Sequence, residues 1–253
     1  MMNKKGQVFE MGLVLVIFTI CVFAIVSFLI YNHKTSGSFD ISPIISLYNQ
    51  QEDISFYAEE AGKLSAQEAY SNTLKGVGKD CRKYSDYAVW THDCIMKIDA
   101  FRDEFMLNFN SSIDRLMIDK KTSIDSVSLN ENIISVSFQP LILNASMKSI
   151  SNIDVNYTVN PSFSINISDY GIDLNFWKVS NQVLSQWDEC KRKSNDAITI
   201  KNCMNRMTSD DWQFMVISTG EFFCSLTSKQ EYYFNDKLQP IIIKFKLEKI
   251  IAA

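Results

Sequence analysis

The stretch MGLVLVIFTICVFAIVSFLIY, residues 11–31, holds 21 consecutive uncharged and almost entirely apolar positions. At a rise of roughly 1.5 Å per residue such a helix is about 31 Å long, the thickness of a bilayer hydrocarbon core. No Pro interrupts it, and its only Gly, Gly12, stands at the entrance. The reading is a single membrane-spanning helix, and it fixes where the rest of the chain works. Lys4 and Lys5 precede it, while Lys34 and a mostly neutral His33 follow. This small positive-inside bias predicts a cytoplasmic leader over 1–10, a transmembrane helix over 11–31, a linker over 32–42 and an extracellular domain over 43–253.

The chain carries a net charge of −4 over 253 residues. The part up to Lys34 contributes +2, which leaves −6 from Thr35 onward. That mild acidity argues against a nucleic-acid partner and against a polybasic lipid-binding surface. His33 and His92 are the two histidines, which leaves little material for His-based catalysis or a metal site. Gly76-Val77-Gly78-Lys79 lacks the length and the Ser or Thr of a phosphate-binding loop and reads as a helix stop. His92-Asp93-Cys94 sets a base beside a thiol, but neighbours in sequence rarely reach the geometry of a base–nucleophile pair. The reading is a non-enzymatic protein with no cofactor and no metal.

Cys21 lies in the apolar stretch, where a thiol is a small apolar residue. Of the others, Cys81 and Cys94 are 13 apart, and so are Cys190 and Cys203. Two matched pairs in an exported domain read as two disulfides, the alternative being buried free thiols in a reducing compartment. Four cysteines allow three connectivities, of which the spacing favours local pairing. Cys224, in Phe222-Phe223-Cys224-Ser225-Leu226, reads as a packed strand residue.

Periodicity predicts an α+β domain with amphipathic helices and antiparallel strands. Pro43 suits the first turn of a helix reaching about Thr73, with Leu47, Ile54, Tyr57, Ala61 and Leu64 as its apolar stripe. A second helix is expected over 93–117, where Ile98, Phe101, Phe105, Phe109, Ile113 and Leu116 fall on one face and Cys94 precedes them by four. Strands are expected over 133–138, 153–158 and 162–167. Helix returns near Asp173, with Leu174, Trp177, Leu184 and Trp187 sharing a face, and again over 198–207. Strands over 214–226, 231–234 and 241–247 close the chain. The segment from Asp80 aligns with that from Glu189 through Cys81/Cys190, Ser85/Ser194, Ala88/Ala197 and Cys94/Cys203. A duplication relating 43–138 to 170–248 would account for this, and so would coincidence.

The leader carries a family resemblance. Lys4-Lys5-Gly6-Gln7, running into Glu10 and the apolar helix, resembles the class III, prepilin-type signal of type IV pilins, most of all the archaeal pilin-like proteins. The resemblance covers about 28 residues. It departs from the family in placing Glu10 at the fourth mature position and Phe9 where a Ser is preferred. It implies cleavage by a prepilin peptidase between Gly6 and Gln7, with Glu10 as the acidic residue that pairs with a neighbouring subunit's new α-ammonium. The implied protein is a membrane-anchored structural subunit of a surface filament, a minor pilin or pseudopilin, whose partners are membrane lipid, the peptidase and other pilin subunits. An ordinary signal anchor is the other reading of the same leader. It would make the chain a single-pass surface protein whose outer domain binds a partner or adhesive target without polymerising. Glycosylation sequons stand at Asn110, Asn144, Asn156 and Asn166, which an exported domain would offer for modification.

Overall fold

The computed structural model of the chain describes residues 18–31, 41–117, 122–147, 153–218, 220–234 and 237–248. In order, the elements are α1 (18–31), α2 (Ser42–Gly76), β1 (Lys83–Tyr84), β2 (Tyr87–Trp90), α3 (Ile98–Met117), β3 (Ile124–Asn130) and β4 (Ile133–Phe138). They continue with β5 (Leu141–Met147), β6 (Ile153–Val159), β7 (Ser162–Asn166), α4 (Phe176–Lys193), α5 (Ala197–Met204), β8 (Trp212–Ser218), β9 (Phe223–Phe234) and β10 (Lys237–Leu247). The class is α+β, as expected. The chain divides into two compact units, 1–52 with 142–159 and 53–141 with 160–253.

The first unit holds α1, the first turns of α2 and a two-stranded sheet of β5 and β6. The second unit holds a five-stranded sheet ordered β1-β2-β10-β9-β8 and a three-stranded sheet ordered β3-β4-β7. The strands were expected to be antiparallel throughout. One pair is not: β2 runs parallel to β10, with Ala88, Val89 and Trp90 opposite Phe245, Lys246 and Leu247. The two strands are separated by most of the chain, so no hairpin forces them to be antiparallel. Pro240, which cannot donate to the ladder, lies where the β9–β10 register shifts, and Ile241 N–H donates instead to Ser228 Oγ at 2.8 Å.

The helix α3 buries the phenylalanine row that its sequence announces. Phe101, Phe105, Phe109 and Ile113 are all buried. It starts at Ile98 rather than 93, however, and Cys94 sits in the turn before it, where Met96 N–H bonds Val77 O at 3.2 Å. The buried side of α2 matches the expected stripe only in part, at Leu47 and Ala61. Ile54, Tyr57 and Leu64 are only half-buried, while Ala58, Ala61, Gly62, Ser65, Ala66, Ala69 and Tyr70 are buried. Small residues carry little hydrophobic signal, yet they let other elements approach closely. A Cβ on Gly62 would lie 2.3 Å from the Phe163 ring of β7, and Tyr70 rests 5.4 Å from Tyr232 of β9. Thus α2 touches both sheets of its unit. On α4 the buried aromatics are Trp187, as expected, and Phe176, packed on Trp212, whereas the expected Trp177 is 38% exposed. The strand expected over 214–226 is two, broken at Phe222, whose φ of 50° is a left-handed turn conformation.

Polar ties between α2 and α3 are satisfied across the same contact. Thr73 Oγ1 accepts from Asn108 at 3.0 Å, and Ser112 Oγ donates to Glu68 at 2.6 Å beside Arg115. Burial alone would raise the Glu68 pKa, but the hydrogen bonds and charge of Arg115 and Ser112 outweigh it and hold the carboxyl below its usual range. A lowered folded pKa stabilises the fold above the unfolded value of about 4.3 and loses that contribution as pH falls through the folded value. The urea midpoint of Glu68→Gln is therefore expected to lie below wild type near neutral pH and to converge with it near pH 3. A gap that stays constant with pH would contradict this. Gly62→Leu, which drives a side chain into Phe163, is expected to lower stability by about 1–3 kcal/mol in urea melts. An unchanged midpoint would show that the Gly62–Phe163 approach is unimportant.

Candidate functional site

The described part of the expected membrane span, residues 18–31, is helical, and every residue in it is exposed. Phe18 is 66% exposed, Phe23 73% and Phe28 62%. Successive helical residues are 100° apart, so apolar side chains point out on every side, with the hydroxyls of Thr19 and Ser27 among them. Thr19, Ala24 and Ser27 leave a shallow notch between Ile20 and Phe23. Among the described residues no helix is both long and apolar enough to cross a membrane. Residues 11–17, with Gly6, Gln7 and Glu10 of the leader, lie outside the described residues, as do 32–40 of the expected linker.

The cysteines pair locally, Cys81 with Cys94 and Cys190 with Cys203, at Cα separations of 4.9 and 5.7 Å. The two loops are built differently inside. The first encloses the β1–β2 hairpin, and Gly78 lets that hairpin close on the end of α2, since a Cβ there would meet Ala88 at 2.8 Å and Trp90 at 2.9 Å. Trp90 in turn stacks on Phe245 of β10 with 7° between the ring planes. The second loop joins the last turn of α4 to α5, which begins with Asp196 accepting from Thr199 N–H at 2.8 Å. In a chain-entropy account each closed loop is worth roughly 3 kcal/mol.

The loops meet at Asp188 of α4, which His92 Nε2 approaches at 3.1 Å and Lys191 at 3.2 Å. Burial would raise the Asp188 pKa, and those two partners outweigh it, so the carboxyl stays below its usual range. With Cys94 in a disulfide, His92-Asp93-Cys94 offers no thiol nucleophile. Cys224 is the fully buried strand residue its neighbours implied, and burial pushes its thiol up to about 12, far from reactive. Among the described residues no group of three or more His, Cys, Asp or Glu could hold a metal ion.

The four sequons fall in different settings. Asn110 is inside α3 and half-buried, with a buried Oδ1 that has no hydrogen-bond partner. Asn144 on β5 and Asn156 on β6 are exposed. Asn166 is exposed at the end of β7, where its Oδ1 accepts from Ser168 N–H at 3.2 Å and its Nδ2 donates to Asp169 at 3.1 Å. Sequence reading passed over a further feature. Ser126-Val127-Ser128, Ser135-Val136-Ser137 and Ser162-Phe163-Ser164 share a Ser-apolar-Ser signature that signals alternation on each strand. Pairing brings the six serines together on one side of the β3-β4-β7 sheet.

Removing the first staple by Cys81→Ala with Cys94→Ala is expected to cost about 2–4 kcal/mol in urea unfolding and to loosen β2 from β10, read as faster amide exchange at 88–90. Unchanged exchange there would contradict the assigned role of the loop. Compared with known proteins, the chain matches no family model, no curated protein and no solved structure.

Proposed function

We propose that the chain is a membrane-anchored, pilin-like structural subunit of a surface filament, held by its N-terminal helix with the α+β part outside the cytoplasm. One observation carries this: every residue of helix 18–31 is exposed and apolar side chains stand on all its sides, and the helix is continuous in sequence with the seven uncharged positions 11–17 that follow the leader. A helix of that kind needs lipid or other helices around it. The notch at Thr19, Ala24 and Ser27 favours the second kind of neighbour as well as the first, because small side chains let helices approach. The two disulfides suit an oxidising exterior.

In this reading lipid surrounds the helix before assembly, the prepilin peptidase cuts after Gly6, and other subunits replace lipid in the filament. Glu10 then leaves a hydrated interface for a packed apolar core, where it is tolerated only when paired with an ammonium. Removing one member of such a pair costs about 3–5 kcal/mol. Glu10→Gln is accordingly expected to leave membrane insertion intact while abolishing filaments sedimented from sheared cells. Filaments from Glu10→Gln equal to wild type would remove the assembly role. Wild-type protein that enters no filament, alone or with a major pilin, would make the chain a tethered surface module instead.

A further inference from the structure

The outer side of the β3-β4-β7 sheet is a grid of hydroxyls that the proposed assembly does not use. Register places Ser128, Ser135 and Ser164 in one cross-strand row and Ser126, Ser137 and Ser162 in the next. With strands about 4.8 Å apart and two residues rising about 6.7 Å, the hydroxyls repeat at a spacing of roughly 5 by 7 Å. Ser126 bonds Ser137 and Ser135 bonds Ser164, each at 2.8 Å between Oγ atoms. Ser128 and Ser162, at opposite corners, bond no other side chain among the described residues. The grid lines an open concavity of about 380 Å³. The following row is Asn130, Ile133 and Asn166, so none of the three rows contains a charged residue. The chemistry that fits is a neutral polyhydroxylated ligand, held by hydrogen bonds and by the edge of the half-exposed Ile133.

A second observation, independent of the grid, supplies the occupant. Asn166-Ile167-Ser168 is a glycosylation sequon, and Asn166 stands on β7 two residues beyond Ser164, hence on the same side of the sheet. A sugar attached there is tethered at the rim of the grid, so individually weak hydrogen bonds act at high effective concentration. We propose that Asn166 carries an N-linked oligosaccharide whose first sugars lie on the two serine rows. The inference rests on the exported placement of this unit.

The attachment forms a bond from Asn166 Nδ2 to the anomeric carbon of a phosphate-activated sugar. The anomeric C–O bond to phosphate breaks, and Nδ2 gives up one proton to a base of the transferring enzyme. The linked amide keeps one N–H and its oxygen, so it retains the groups that now bond Asp169 and the Ser168 N–H. Asn110 lacks such access, and Asn144 and Asn156 belong to the other compact unit, on the separate β5-β6 sheet.

The test is mass spectrometry of the protein isolated from its native membranes, reading the Asn166 peptide and the redox state of the four paired cysteines in one digest. A glycan on Asn166 is expected, lost in Ser168→Ala and kept in Ser168→Thr. Wild type is expected to melt above Ser168→Ala, and that difference is expected to vanish when Ser128→Val and Ser162→Val are added to both. Among the described residues these corner hydroxyls bond no other side chain, so the fold should tolerate the change. Bare Asn166 in protein with its disulfides formed, or glycans confined to Asn144 and Asn156, would overturn the proposal and leave export standing. Bare Asn166 with four free thiols would overturn both. A glycan whose melting difference survives the corner substitutions would overturn the serine seat.

Discussion

The larger unit is organised by how closely other elements can approach α2. Its buried side runs through Ala58, Ala61, Gly62, Ser65, Ala66 and Ala69, side chains of at most two heavy atoms. Because that side is nearly flat, Phe163 of the three-stranded sheet can lie on Gly62 while Tyr70, farther along, meets both Phe101 of α3 and Tyr232 of the five-stranded sheet. Interiors pack at crystal-like density, so a larger residue anywhere along this line would separate elements that now share one core. The largest buried side chains are aromatic, and α2 decides whether they can meet.

The disulfides complete what packing begins. Each holds a short segment that lacks the apolar area to stay folded alone: a two-residue strand with its four-residue partner in one case, an eight-residue helix in the other. The first staple fixes β2 as the parallel neighbour of β10, and the second fixes α5 against α4. Exposed ion pairs such as Arg82 with Glu248 add little to this, because water screens them. An exterior subunit subject to shear benefits from covalent closure of its weakest elements, and that links the staples to the proposed role.

Legibility followed the length scale of each signal. The phenylalanine row of α3 repeats every four residues and could be read directly, as could the local cysteine pairs and the buried setting of Cys224. The face of α2 is legible only in part: Leu47 and Ala61 of the expected stripe are buried, but Ala, Gly and Ser carry little signal, so the larger Ile54 and Leu64 drew the stripe off the small-residue line. The parallel partnership of β2 and β10 joins residues more than 150 apart and leaves no local trace. Phe176 and Trp177 are adjacent aromatics, and periodicity does not decide which one faces inward; contact with Trp212 does. Each serine triplet was visible as alternation, but the grid exists only through cross-strand register. The leader motif is legible as a resemblance, while its consequences are chemical events that act on the chain after synthesis.

The central claim is that the N-terminal helix belongs to a processed, filament-forming subunit and is more than a passive tether. The most direct measurement is the intact mass and first residue of the protein extracted from its native membranes. A chain beginning at Gln7, with the apolar helix retained, is the result this account predicts. A chain beginning at Met1 or Met2 would contradict it.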